Sequence, residues 1–353
     1  MYIINLDANA SLPPSYAAQQ ALCESSKFIG NPSSPHSIGR NIRRILDNAR
    51  MNLAKAIGGK EYDIFFTSGA SEGNRWIVDA LVGTNKFKVW YSNLEHPSLL
   101  KPLHCAVKEK YLIKVLNPQD AEIIFVTVSH SETGFIPNWN ALIKLASPDA
   151  ILISDISQTL GRLDTPPERI DILVCSAHKI GAFPGCGAVL LRNRAKKLKT
   201  PWLGGNQENG LRPGSEAVPL IHAFGIAASE IEIMRIKNKN LEPLRNYLEK
   251  KILTLWPLAK KVPQKGFRIP NTTAIALSGI NGDVLRILLD SVGLCVGFGT
   301  SCSALNPEPS ESLLSFNLTP GEVRATIRFS LCPDANLEIV KEVIKRLKSL
   351  DLK

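Results

Sequence analysis

The chain has 353 residues, 44% of them apolar and 21% charged, values that exclude a disordered or fibrous chain and allow one large domain plus a small one. Its formal charge of +10 is spread along the chain without a zinc-finger, RNA-binding or basic-arm pattern, so it reads as a solvated surface that attracts anionic ligands, with no direct nucleic-acid partner. Seven cysteines (Cys23, Cys105, Cys175, Cys186, Cys295, Cys302 and Cys332) form no CxxC pair and no metal spacing, which excludes a disulfide framework and points to a reducing compartment.

In chain order, the start MYIINLDANASLPP lacks the basic and apolar runs of a signal peptide. No apolar stretch approaches the roughly 20 residues that span a bilayer. The expectation is a cytoplasmic protein with no membrane partner. Residues 41–57 carry the period of an amphipathic helix, and 61–69 (EYDIFFTSG) read as a strand entering a glycine turn. Further strands are predicted in VWYS (89–92), EIIFVTV (122–128), ILISD (151–155), DILVCS (171–176) and GAVLLR (187–192). Helical patterns at 96–110 and 139–147 lie between them. Such alternation predicts an α/β fold with a mostly parallel, seven-stranded-type sheet flanked by helices. From 222 to 253 one long helical segment is expected, followed by strands at 273–279 and 325–331 and helices at 284–292 and 339–350, a smaller α+β arrangement. The expected division is a large domain over 15–240 and a small one built from 1–14 and 241–353.

Ligands in open α/β sheets bind beyond the carboxyl ends of the strands, which directs attention to the residues just after them. Asp155 ends one strand run, and Ser176, His178 and Lys179 follow another. Taken singly, a carboxylate there caps the next segment and a lysine there is a solvated charge. Together they suit pyridoxal 5'-phosphate (PLP), which needs a lysine for its aldehyde, an acid facing its pyridine nitrogen and a cradle for its phosphate. Gly69, Ala70 and Ser71 offer that cradle at the start of a helix, where backbone N–H groups and the helix dipole favour an anion. An ordinary N-cap accounts for Ser71 equally well.

The runs GNPSSPHSIGR, TSGASEGN, EHPSLL, SETG, ISDISQTLGRLD, SAHKIG, GGNQENGLRPGSE, GTSCSA and IRFSL, in this order over nearly the whole chain, resemble the class V aminotransferase superfamily, and within it the cysteine desulfurases of the NifS and IscS type. The resemblance implies a PLP fold with a large cofactor domain, a homodimer, L-cysteine as substrate and transfer of its sulfur to an acceptor protein. It matches Lys179 to the Schiff-base lysine and proton shuttle, Asp155 to the pyridinium partner and Gln158 to the group bonding the ring hydroxyl. His96 matches the catalytic histidine stacked on the cofactor. Ala70, Ser71, Ser176 and His178 match the phosphate shell, and Ser215 a residue reaching the phosphate across the dimer. Arg328 matches the clamp on the substrate carboxylate, a role suited to a planar guanidinium. Asn9 and Asn31 match the substrate pocket, and Cys302 the nucleophile that becomes a persulfide. The loop SCSALNPEPSES around it reads as exposed.

The pattern departs at four places. His130 and Ser131 stand before Glu132 where two asparagines are usual, the second of them a cofactor and substrate contact now offered as a shorter hydroxyl. Ala182, Phe183, Pro184 and Gly185 replace a GPKG-like run. Asn209 replaces an arginine, and Ala217 an asparagine. Only 25 residues (353 − 328) follow Arg328, so the tail that docks an iron–sulfur scaffold in some members is not matched. Iron–sulfur cluster assembly, tRNA thiolation or another route remain open as the destination of the sulfur. The same fold would also suit a selenocysteine lyase or an aminotransferase, and a degenerate paralogue would serve as a binding partner.

Overall fold

The structure is a computed structural model that describes residues 2–59, 62–83, 86–164, 169–192, 195, 202–299 and 309–350. In chain order its strands are β1 (Ile4–Leu6), β2 (Tyr62–Thr67), β3 (Lys88–Trp90), β4 (Ile113–Lys114) and β5 (Ile123–Phe125). There follow β6 (Phe135–Ile136), β7 (Ile151–Asp155), β8 (Ile172–Ser176), β9 (Gly187–Arg192) and β10 (Ala259–Val262). The last are β11 (Phe267–Arg268), β12 (Thr272–Leu277), β13 (Leu294–Phe298) and β14 (Thr326–Ser330). The chain divides into two compact units. The larger comprises Leu12–Val128 and Asn138–Ile233; the smaller comprises Met1–Ser11, Ser129–Pro137 and Met234–Lys353.

The larger unit is built on a seven-stranded sheet of order β2-β9-β8-β7-β5-β3-β4. Strands β8, β7, β5, β3 and β4 pair in parallel, and β9 is antiparallel to both β8 and β2, so six strands share one direction and only β9 is reversed. The central strands β5, β8 and β9 are short, apolar and buried almost throughout, as expected for the middle of a sheet covered on both faces, whereas the edge strand β4 is exposed. Helices Ala70–Val82 and Pro97–Lys108 pack Trp76, Ile77, Leu81, Leu99 and Leu103 into one core with the sheet. Phe224, on helix Val218–Ser229, meets Phe66 of β2 edge-on, with ring centroids 6.4 Å apart.

The smaller unit is a five-stranded sheet of order β1-β13-β14-β12-β10, antiparallel except for the β1–β13 pair. Helices Leu241–Leu255, Gly282–Ser291 and Leu337–Lys348 contribute Leu248, Leu285 and Val343 to its core. The excursion Ser129–Pro137 joins this unit through a two-stranded ladder of β6 with β11.

The single long helical segment expected over 222–253 is three helices, Val218–Ser229, Ile231–Lys239 and Leu241–Leu255. Two local causes account for the breaks. The Ser229 hydroxyl donates to the Ile226 carbonyl 2.7 Å away, competing with the helical ladder. Pro243 has no N–H to give, and its ring would collide with the carbonyl of Lys239, where the second helix ends.

Candidate active site

In the larger unit, the residues after β2, β3, β7 and β8 gather the predicted cofactor set, all at the carboxyl ends of strands running one way. β2 leads to Gly69, which opens helix Ala70–Val82 with Ala70 and Ser71 in its first turn. A Cβ on Gly69 would meet only Ser176 Oγ, at 3.9 Å, so there is open room before the helix. The turn lies against the sheet because residue 187 is glycine: a Cβ there would stand 2.7 Å from the Gly69 backbone and from the Cys175 carbonyl oxygen. β8 passes into a tight turn, Ala177–Ile180, that carries His178 and Lys179 and ends at Gly181, whose φ of +80° a side chain would strain. This turn is tied down from outside, since Leu12 N–H donates to the His178 carbonyl at 3.0 Å and Ser15 N–H to the Gly181 carbonyl at 2.8 Å.

Burial, followed by the charges of Lys179 and Arg162, lowers the His178 pKa to about 4, leaving a neutral imidazole at physiological pH. Asp155 closes β7, its Oδ1 accepting Ser157 N–H at 2.9 Å and its Oδ2 accepting the side-chain amide of buried Asn74 at 2.8 Å. The other amide hydrogen of Asn74 reaches Ser98 Oγ at 2.9 Å, which in turn lies 2.8 Å from His96 Nδ1. His96 is the N-cap of helix Pro97–Lys108. Beside it Glu95 is 3% exposed; burial raises its pKa to about 8, the Asp155 charge acts the same way, and the Thr127 hydroxyl that donates to it offsets only part. Gln158 and Ser176 are buried, whereas Ser71, Ser215 and Asn31 are exposed. The Asn31 side chain accepts Ser33 N–H at 2.8 Å in a turn of its own loop.

The smaller unit holds Arg328, Asn9 and Ser131. On β14, Arg328 donates through Nη1 to the Ser131 carbonyl at 3.1 Å and pairs through Nη2 with the Asp7 carboxylate. Its Nε is buried without a hydrogen-bond partner among the described residues. Residue 297 on β13 is glycine, and a Cβ there would come within 2.7–2.9 Å of the guanidinium, so a larger residue would push Arg328 aside. Asn9 donates to the same Ser131 carbonyl at 3.2 Å and to Thr272 Oγ1 at 2.9 Å, and accepts from Asn271 at 3.2 Å, so its amide braces the group. Next to Ser131, Glu132 receives the hydroxyls of Ser310 and Ser312 and lies 3.6 Å from His130 Nε2. Burial alone would raise its pKa; His130 and the two serines outweigh that and bring it to about 2.

Cys302 lies outside the described residues. Among those described, Cys175 and Cys186 are buried, and burial drives both thiols upward, Cys186 to about 12, which makes them poor nucleophiles. Among the described residues no helix is long and apolar enough to cross a membrane, and no cluster of three or more His, Cys, Asp or Glu suits a metal. Sequence reasoning passed over Asn74, Glu95, Ser98 and Asp7. The first three lie inside runs already singled out, TSGASEGN and EHPSLL, but only their partners reveal a task.

Comparison with known proteins gives the chain a family. Residues 4–343 match the family described as Aminotransferase class-V. A cysteine desulfurase of Trichormus azollae is 29% identical, over 99% of this chain and 95% of its own. The cysteine desulfurase IscS 1 of Archaeoglobus fulgidus is 31% identical over 92% of each chain. The solved NifS-like protein of Rickettsia africae has a TM-score of 0.86 at 25% identity, covering 98% of this chain and 99% of that one. The chain therefore belongs to the class-V aminotransferase family, with cysteine desulfurases of the NifS and IscS type among its relatives, and this family depends on PLP.

The residues present fit that cofactor. The open space before Gly69 at a helix N-terminus suits its phosphate, with Ser176 and the neutral His178 as further donors. Asp155, held by two donors, would offer its carboxylate to the ring nitrogen, and Lys179 would offer its amine to the aldehyde.

Proposed function

We propose that this protein is a cysteine desulfurase that converts L-cysteine to L-alanine and passes the sulfur, as a persulfide on Cys302, to an acceptor protein. The observation that supports it most is the convergence of Lys179, Asp155, His96 and the Gly69 cradle on the carboxyl ends of four strands, in a chain whose relatives carry that name. Bound PLP would supply an electron sink for the bond changes at the substrate α- and β-carbons.

The chain's own residues do the rest. Arg328 offers a guanidinium fork to the substrate carboxylate, and Asp7 and the Ser131 carbonyl set its orientation. Lys179 moves the α-proton. The Cys302 thiolate attacks the substrate sulfur, the sulfur–carbon bond breaks and its electron pair stays with the three-carbon fragment. Protonation of that fragment gives alanine, and the enzyme cysteine keeps the sulfur. We further propose a homodimer in which Ser215, exposed on the single chain, completes the phosphate site of its twin. A reducing cytoplasm suits a thiol that must be a thiolate in each cycle.

The test is alanine and sulfide release from L-cysteine in the presence of a thiol reductant. Equimolar products are expected from the parent, with none from Lys179→Ala and none from Cys302→Ala, the latter still yellow with cofactor. A yellow parent that makes neither product moves the assignment to another reaction of the family. Products persisting in Cys302→Ala point to a selenocysteine lyase-like path that needs no enzyme persulfide.

A further inference from the structure

We infer that Ser98 and Asn74 are positioning residues that hold His96 in the tautomer with its proton on Nε2, so that His96 serves as a hydrogen-bond donor and Lys179 alone as the base. The tautomer follows from the geometry; the division of roles rests on the functional reading above.

The chain of hydrogen bonds has its direction forced from both ends. At one end the Asp155 carboxylate only accepts, so the Asn74 atom 2.8 Å from its Oδ2 is the amide nitrogen. The second hydrogen of that nitrogen points to Ser98 Oγ at 2.9 Å, which therefore accepts. The Ser98 hydroxyl hydrogen is then available for His96 Nδ1, 2.8 Å away. At the other end the backbone N–H of Ser98, which can only donate, reaches the same Nδ1 at 3.1 Å as the N-cap bond of helix Pro97–Lys108. Nδ1 thus faces two donors, and a proton on it would break the backbone bond and turn the Ser98 hydroxyl from donor to acceptor. A neutral imidazole with Nδ1 as acceptor carries its hydrogen on Nε2 and takes no proton there. Asn74 is 1% exposed, so no water competes for its amide, and one side chain orients both the ring-nitrogen carboxylate and the stacking histidine.

The experiment is a long-range proton–nitrogen correlation spectrum of holoenzyme labelled with 15N-histidine, at about pH 8.5 where an ordinary imidazole is neutral. There are six histidines, and the His96 signals are those missing in His96→Gln. The parent is expected to show a pyridine-type Nδ1 and a pyrrole-type Nε2 at His96. Ser98→Ala should move both signals toward the average of the two tautomers, and Ser98→Thr, which keeps the hydroxyl, should restore them. In parallel, Ser98→Ala should lower kcat about tenfold with little change in KM, the effect of one lost hydrogen bond. A parent Nδ1 that carries the proton, or a Ser98→Ala spectrum identical to the parent's, overturns the inference. If alanine and sulfide release is absent while the spectra come out as expected, the desulfurase reading falls and the tautomer assignment stands.

Discussion

The proposed cofactor cradle of the larger unit and the carboxylate clamp of the smaller one are made by different means. The cradle is largely backbone: a helix N-terminus at Ala70, a turn after β8 that ends on left-handed Gly181, and a Gly69 segment pressed against Gly187 with no room for a Cβ. The clamp is built mainly from side chains, with one backbone carbonyl among them. Arg328 is oriented by Asp7 and by a carbonyl that Asn9 also holds, and Glu132 is kept ionised by His130, Ser310 and Ser312. Backbone construction tolerates many side chains but no added carbon at its tight points. Side-chain construction tolerates none of the wrong donors.

Substitutions separate the two modes. The largest effect is expected at the clamp, where Arg328→Lys keeps the charge but loses the fork. Its kcat/KM for L-cysteine should fall about 100-fold, chiefly through KM, a size set by charge-assisted hydrogen bonds. An unchanged KM would mean that charge alone suffices. In the cradle, Gly187→Ala should weaken cofactor retention about tenfold, read as loss of the yellow absorbance on dilution, because the Gly69 turn must move off the sheet. Retention equal to the parent's would show that the turn yields freely.

Two carboxyls with opposite shifts sharpen the contrast through stability rather than activity. Glu132 has a lowered pKa, so its stabilising contribution is complete above the usual carboxyl value near 4.5 and is lost as pH falls toward 2. Glu132→Gln should cost about 1 kcal/mol at pH 6 in denaturant titrations, a gap that closes on acidification. Glu95 has a raised pKa, so its contribution is complete below about 4.5 and is lost as pH rises through about 8. Over that window the parent should lose stability relative to Glu95→Gln, at up to about 1.4 kcal/mol per pH unit. Parallel stability curves for the two would place Glu95 in water.

What the sequence revealed follows the same division. Strand ends followed by Asp155 or by Ser176, His178 and Lys179 are legible because alternating strands and helices fix where ligands bind, and the residues need only be read off after each run. Asn74 and Ser98 lie within recognised runs, yet nothing local tells that Asn74 faces a carboxylate 81 residues away. Asp7 is separated from Arg328 by 321 residues and passed unnoticed for the same reason. The three helices over 218–255 are a local miss, since Pro243 marked a stop that apolar periodicity hid.

The excursion Ser129–Pro137 imposes an order on synthesis. Its strand β6 pairs with β11, and Ile136 waits for Phe267, 131 residues (267 − 136) further along the chain. At ribosomal rates of about 5–20 residues per second, that partner follows on the order of ten seconds later. β1 waits longer still, its Ile4 pairing with Leu294, 290 residues (294 − 4) downstream. The nascent larger unit can close its sheet while this nine-residue arm, with Ser131 and Glu132 on it, is still without its strand partner. Arg328, on β14, and the Ser131 carbonyl that orients it are therefore brought together late, and an interrupted translation product would carry the larger sheet before the proposed substrate site could form.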